Sequence, residues 1–246
     1  TGEATVTSSL TFTNANWNSA QTVTVTGVDD NIIDGTITSN ITIAVLDETS
    51  DNAFDSLSDQ TVSVTTTDND VAGFTIAQSG GSTSVSESGT TDTFTIVLNA
   101  QPTSNVVLSI SSSDTGEATV TSLLSFTTAN WNSAQTVTVT GVDDNLVDGT
   151  KNSTITITVV DVISDDSFDS VADQTVSAAT TDNDVAGFTI TQSGGSTSVS
   201  ESGSTDTFTV VLNAQPASNV VLSISSSDTG EATATSLLTF TSANWN

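Results

Sequence analysis

The sequence predicts an all-β protein, built as tandem immunoglobulin-like Greek-key β-sandwich modules with a 114-residue repeat. Two observations carry the prediction. The pentapeptide Thr-Gly-Glu-Ala-Thr recurs at Thr1, Thr115 and Thr229, a spacing of 114 both times. The same offset relates Trp17, Trp131 and Trp245, Asp29 and Asp143, Phe54 and Phe168, Phe74 and Phe188, and Glu87 and Glu201. A period of that length is too long for a solenoid repeat and matches one small domain. The second observation is strict alternation of β-branched residues with Thr and Ser, which marks strands with one buried face. No segment carries helical periodicity.

The elements follow in order from that alternation. Strands are predicted at Phe74–Ile76, Thr83–Glu87, Phe94–Ile96, Asn105–Ser111, Glu117–Phe126, Gln135–Thr140, Ser153–Val159 and Gln174–Thr180. Clusters of Gly, Asn, Asp and Ser separate them, as turns require. Seven or eight short strands in about a hundred residues is the pattern of a Greek-key sandwich. The punctuation Thr-Asp-Asn-Asp followed by Val-Ala-Gly-Phe occurs at Thr67–Phe74 and at Thr181–Phe188. It divides the chain into the back part of one module (1–70), a complete module (71–184) and the front part of the next (185–246). No Gly/Ser-rich or Pro-rich linker intervenes, so the joints should be short and stiff. Trp131, just before a strand, is expected to plug one end of the core rather than to serve as an adhesive contact.

Composition narrows the function. The chain holds 29 acidic residues against one basic residue, Lys151, for a net charge of −28. Nucleic acid and anionic membranes are poor partners for it, because both are bound through Lys and Arg. It contains no Cys, His or Met. Disulfides are therefore excluded, along with Ser–His and Cys–His nucleophiles and zinc chemistry. The chain is expected to be non-enzymatic, with no catalytic residues. A chain without Met that starts in mid-repeat is expected to be a window on a longer polypeptide, and no apolar run in it is long enough to span a bilayer.

The carboxylates are not spread evenly. Of the 14 acids in 71–184, only Glu87, Asp92, Asp114 and Glu117 precede Asp143, and the other ten fall between Asp143 and Asp184. General solubility or adaptation to high salt would scatter acids over the exposed strand faces. Those faces carry Thr and Ser instead, and the acids gather at predicted strand ends. Unit charges about 4 Å apart repel by on the order of 4 kcal/mol at an effective dielectric of 20, so such a cluster calls for cations. Oxygen donors without His or Cys select calcium. The segment Asp144–Gly149 does not complete a helix–loop–helix calcium loop: Leu146 occupies a ligand position and Ile155 stands where a bidentate Glu is needed. The ion is therefore expected between loops from distant parts of the chain.

Val85-Ser-Glu87, the pair Asp143-Asp144 at a strand end, and the closing Asp182-Asn-Asp184 occur in that order. The ordered set resembles the Calx-β family, calcium-binding sandwich modules of sodium–calcium exchangers and long bacterial surface proteins. The resemblance implies a Ca2+ site formed by Glu87, Asp143, Asp144, Asp182 and Asp184, with Asp148 or Asp165 as additions. In the preceding module it implies Asp29, Asp30, Asp34, Asp68 and Asp70. Asn183 at the middle of the closing cluster departs from the family pattern, as does the reduction of later acids to Asp148, which leaves site count and affinity open.

The function expected is a calcium-stabilised extracellular spacer or stalk of a giant repetitive cell-surface adhesin, with neighbouring repeats of the same chain as its partners. The alternative is a structural subunit of a surface fibril, sheath or surface layer, assembled by packing with other copies. A glycan-binding module using Trp131 is the third reading. Asn40-Ile-Thr and Asn152-Ser-Thr fit the glycosylation pattern but do not occupy equivalent repeat positions.

Overall fold

The computed structural model describes residues 2–246, and its regular structure is almost entirely β. The N-terminal segment contributes β1 (Ala4–Val6), β2 (Val25–Gly27), β3 (Ile37–Ile43) and β4 (Gln60–Thr66). The central segment contributes β5 (Phe74–Gln78), β6 (Thr83–Ser86), β7 (Thr91–Leu98), β8 (Val106–Ser112), β9 (Ala118–Val120), β10 (Leu123–Phe126), β11 (Gln135–Gly141), β12 (Lys151–Val159) and β13 (Gln174–Thr181). Then come β14 (Phe188–Gln192), β15 (Phe208–Leu212), β16 (Val220–Ser223) and β17 (Leu237–Phe240).

The central strands form a two-sheet sandwich. One sheet has the order β10-β8-β12-β13-β6 and the other β5-β7-β11-β9. Successive strands from β5 to β12 alternate between the sheets, and within the sandwich only β12 and β13 are both sequential and paired. All pairings are antiparallel except β6 with β13, which run parallel from Thr83↔Ala178 to Ser86↔Thr181. The alternation seen in the sequence is what makes this work. Phe94, Ile96 and Leu98 on β7 face inward, as do Val106, Leu108 and Ile110 on β8, and Ile155, Ile157 and Val159 on β12. Interleaved Thr and Ser lie toward solvent. Burying each such aliphatic or aromatic side chain contributes roughly 1.5–3 kcal/mol, the chief driving force for closing the two sheets. Trp131 packs half-buried against this core, and its carbonyl accepts the Leu98 N–H at 3.1 Å.

The predicted single strand over Glu117–Phe126 is instead two. β9 pairs with β11 in one sheet, and β10 with β8 in the other. Ala118, Leu124 and Phe126 are all buried although they belong to opposite sheets. Both inner faces look into one core, so the chain can cross between sheets without breaking the inward parity of its apolar residues.

The flanking strands form two-stranded ladders, β1-β2, β3-β4, β14-β15 and β16-β17. Most of their apolar residues are open, with Leu212 on β15 and Phe240 on β17 the buried exceptions at 8% exposure each. Phe126, Phe168 and Phe74 are at most 3% exposed, whereas Phe12, Phe54 and Phe188, each 114 positions away, are 52–55% exposed. Among the described residues, no helix is long and apolar enough to cross a membrane.

Candidate metal centre

Topology gathers the acids at one end of the sandwich. Because β6 and β13 are parallel, their C-terminal ends leave the sheet side by side. Glu87, one residue past β6, thus meets the Asp182–Asp184 segment just past β13, and the Glu87 N–H donates to the Thr181 carbonyl at 3.1 Å. β9 pairs antiparallel with β11, with Ala118 opposite Gly141. Glu117 therefore sits beside the exit of β11, where the Val142 N–H donates to its carbonyl at 2.9 Å. The loop from Val142 to Thr150 then leads into β12, whose first residue, Lys151, lies opposite Thr180.

Gly141 permits this convergence. A Cβ at that position would lie 2.7 Å from the Ser86 carbonyl carbon and closer still to its oxygen. The missing side chain lets β11 press against the β6 backbone immediately before Glu87.

Within the cluster, hydrogen bonds hold the backbone and leave carboxylate oxygens free. Asp182 Oδ2 accepts the N–H groups of Asp148 (2.9 Å) and Gly149 (2.8 Å), and its Oδ1 accepts that of Asp184 at 2.7 Å. Gly149 turns the loop with φ 73°, a conformation other residues resist. Asp144 Oδ1 accepts the Leu146 N–H at 2.6 Å, closing a turn within the loop. Asn183 ties two acidic segments together. Its N–H donates to Glu87 Oε2 at 3.2 Å and its side-chain amide to Asp143 Oδ1 at 2.9 Å.

Two triads share Glu87. Glu87, Glu117 and Asp148 each place one carboxylate oxygen within 4.8 Å of the others, and Glu87, Asp182 and Asp184 do the same. Calcium–oxygen bonds of about 2.3–2.6 Å allow oxygens on one ion to stand up to about 5 Å apart, so both triads fit a calcium ion. Glu117 Oε2, Asp148 Oδ1 and Asp184 Oδ2 are buried without a hydrogen-bond partner. Glu87 is 1% exposed and Glu117 8%. Buried anionic oxygens with no donor are costly, and a hard divalent cation in each triad would satisfy them. Lys151 Nζ reaches Asp148 Oδ2 at 3.1 Å and, among the described residues, is the single ammonium in a cluster with seven carboxylates: Glu87, Glu117, Asp143, Asp144, Asp148, Asp182 and Asp184.

The same frame recurs around Asp68. Its Oδ2 accepts the N–H groups of Asp34 (3.1 Å) and Gly35 (2.8 Å), and its Oδ1 that of Asp70 (2.7 Å). Asp30 Oδ1 accepts the Ile32 N–H at 2.8 Å, and the Asn69 amide donates to Asp29 Oδ1 at 3.1 Å. Glu3, Asp30, Asp34, Asp68 and Asp70 line a polar cavity of about 20 Å³, room for one water-sized guest.

Asp165 is not part of the cluster. It lies past the far end of β12, about 26 Å along that strand from Lys151 at about 3.3 Å per residue. Its oxygens accept from Thr103 Oγ1 (2.7 Å), the Ser104 N–H (2.7 Å), and the N–H and hydroxyl of Ser167 (3.0 and 2.6 Å). Burial opposes its ionisation, but the hydrogen bonds from Ser167, Thr103 and Ser104 outweigh it and hold the carboxyl well below its ordinary range. Asp165 therefore caps a turn and has no oxygen left for a metal. Glu117 is the converse case. Sequence reasoning left it out of the site, although its exact recurrence in Thr-Gly-Glu-Ala-Thr was a usable signal.

The electrostatics separate two groups of carboxyls. Burial raises the pKa of Glu87, Glu117 and Asp184, and neighbouring carboxylates add to it: Asp182 for Glu87 and Asp184, Asp148 for Glu117. Asp182 and Asp68 are lowered, chiefly by the N–H groups of Gly149 and Asp70 respectively. The raised groups hold protons more tightly when folded, so without metal their effect is to weaken the fold as pH rises from about 4 through their folded values. The lowered groups stabilise above the ordinary value of 3.8 and lose that contribution as pH falls through their folded values. In chelator, the melting temperature is expected to rise as pH is lowered from 7 to about 4.5 and to fall below about 3.5. In excess calcium the upper slope should vanish, because the ion replaces the protons. Thermal melts across that range with and without calcium check both signs.

No protein-family model and no curated protein sequence matches the chain. Among solved structures it is similar to domains 4 and 5 of the S-layer protein SbsC, at 26% identity and a TM-score of 0.31, covering 50% of this chain and 59% of that one. It is similar to the apo form of the Calx CBD1 domain at 13% identity and a TM-score of 0.33, covering 45% of this chain and 98% of that one. It is also similar to the Escherichia coli chaperone DraB at 10% identity and a TM-score of 0.34, covering 61% and 90%. These TM-scores lie below 0.5, too low for the likeness to bear on ligand or role.

Proposed function

We propose that the chain is a calcium-stabilised spacer, part of the extracellular stalk of a repetitive cell-surface adhesin, and that it catalyses nothing. Its units would be those read from the sequence, with 71–184 complete and 1–70 and 185–246 belonging to the units on either side. The observation that carries the reading is the set of buried, partnerless oxygens on Glu117, Asp148 and Asp184, inside a cluster with one ammonium for seven carboxylates. A spacer needs many copies of one part and no unique site, and the recurrence of the Asp182 frame around Asp68 suits that need. Calcium bound between Glu87, Glu117 and Asp148, and between Glu87, Asp182 and Asp184, would cancel the repulsion that the fold itself imposes.

Extracellular modules bind calcium at about 10⁻⁴–10⁻³ M. Free calcium ten- to a hundredfold above the dissociation constant adds roughly 1.4–2.7 kcal/mol per site. For a unit of this size that shifts the melting temperature by about 5–15 °C. A calcium titration followed by thermal melting tests it, and an unchanged melting temperature would sink the reading. The second reading is lateral packing of copies into a fibril, sheath or layer. It is favoured by the one-sided pairing of β5 and β10, with Leu123 on β10 58% exposed. Imaging the purified chain separates single rods from ordered assemblies.

A further inference from the structure

The ladders flanking the central sandwich correspond to its two halves, held apart. At the 114-residue offset, β1-β2 and β3-β4 repeat β9-β11 and β12-β13 in the same register, Ala4↔Gly27 matching Ala118↔Gly141 and Ile37↔Thr66 matching Lys151↔Thr180. β14-β15 and β16-β17 repeat β5-β7 and β8-β10 in the same way. What the flanks lack is the pairing that joins one half to the other. In the centre, residues 135–138 of β11 pair with β7 alone, and 91–93 of β7 with β11 alone. Residues 110–112 of β8 pair with β12 alone, and β6 with β13 alone. The counterparts of these four segments, residues 21–24, 205–207, 224–226 and 197–200, are not strands. Each is without its ladder because the partner belongs to the other half. The inner faces are open to match: Val62 is 51% exposed where Val176 is 2%, and Phe208 39% where Phe94 is 1%.

We propose that these faces are covered by a second copy of the chain docked head to tail, so that 185–246 of one copy and 1–70 of another close a full sandwich. β15 adds to β2 and β16 adds to β3. The sheets become β14-β15-β2-β1 and β17-β16-β3-β4, with residues 197–200 as the strand beside β4, which is the strand order of the centre. Main-chain bonds along the open edges give affinity, and the alternating side chains fix the register. Both halves carry the segment matching 115–132, yet they divide it. β1 forms in the first half and β17 in the second, so each place is filled once. The contact joins unlike surfaces, front half to back half. Each added copy therefore presents another open half, and growth is linear. Docking also sets Glu201 of one copy beside Asp68 and Asp70 of another, as Glu87 stands beside Asp182 and Asp184 in the centre. Head-to-tail docking goes beyond the calcium reading and does not depend on it.

The chain has no cysteine, so introduced thiols report one contact each. Thr24 and Thr207, both exposed, are the counterparts of Thr138 and Thr93, which face each other across β11 and β7. The 246-residue chain carrying Thr24→Cys is mixed with the chain carrying Thr207→Cys in calcium-containing buffer and oxidised, so a mixed disulfide can form only between copies. Thr191→Cys is the control, because β14 lies beyond β15 and its thiol is out of reach of β2. The expected yield of mixed dimer is at least about tenfold higher with Thr207→Cys than with Thr191→Cys. Light scattering of the parent chain should show a mass that climbs with concentration in steps of 25.0 kDa. Adding Phe208→Asp to the Thr207→Cys chain, which puts a charge on the inner face of β15, should remove the mixed dimer and leave the melting of the central sandwich unchanged. Equal yields for the two thiol positions overturn the docking, as does a mixed dimer that survives Phe208→Asp. A parent chain that stays at 25.0 kDa at every concentration overturns it as well.

Discussion

Replacing Gly141 by Ala should lower the melting temperature of the central sandwich by about 10–20 °C and abolish its response to calcium. The added methyl would meet the Ser86 carbonyl carbon at 2.7 Å, with its oxygen nearer still. Both are backbone atoms in paired strands, so no rotamer change relieves the contact and β6 must move away from β11. Overpacking of this kind costs about 3 kcal/mol or more, and about 1 kcal/mol corresponds to roughly 4–8 °C in a domain of this size. The displacement falls between Ser86 and Val142, so it pulls Glu87 away from the loop bearing Asp143, Asp144 and Asp148. Gly27 supplies the control. A Cβ there would find only Thr66 Cγ2, at 3.9 Å. Gly27→Ala should therefore shift the melting temperature by no more than about 2–3 °C, as ordinary surface substitutions do. Differential scanning calorimetry of both variants, with and without calcium, decides the matter.

Glu87→Gln should act with opposite signs in the two states. In chelator the variant is expected to be more stable than the parent by about 1–3 kcal/mol, because a buried charge surrounded by like charges is gone. Asn183 can still donate its N–H to the remaining amide oxygen. In calcium the order should reverse. Glu87 is common to both triads, and losing one unit of negative charge at contact distance weakens divalent binding by about a hundredfold. Isothermal titration measures the affinity, and melts in chelator and in calcium measure the crossover. A residue with a purely structural role would shift both melts in one direction, so a missing crossover would remove Glu87 from the metal centre.

Most of the strands were legible, because period-two alternation is a local property. The predicted Gln135–Thr140, Ser153–Val159 and Gln174–Thr180 differ from β11, β12 and β13 by at most two residues at an end. The split of Glu117–Phe126 was not legible, since alternation reports which side of a strand faces the core and says nothing about which sheet the strand joins. The gathering of Glu87, Asp148, Asp182 and Asp184 depends on the parallel pairing of β6 with β13. That contact spans almost a hundred residues and leaves no mark in local pattern, so it was reached only through the family resemblance. Asp165 shows the limit of that route. An acid in an acidic region reads as a ligand, whereas its hydroxyl and amide donors, Thr103, Ser104 and Ser167, commit it to a turn. Lys151 is the other such case. It registered only as the single positive charge of the composition, although it stands three residues from Asp148 and is paired to it.

That pairing makes the two acidic clusters unequal. Ile37 occupies the position 114 residues before Lys151, so the earlier acidic cluster has no tethered ammonium of this kind. A built-in monovalent charge on one oxygen of Asp148 must be displaced or accommodated before a divalent ion takes full hold there, whereas no ammonium of the described residues is paired with Asp34. If the ion binds as proposed, the two clusters fill at different calcium concentrations, and a titration followed by calorimetry should resolve two steps rather than one.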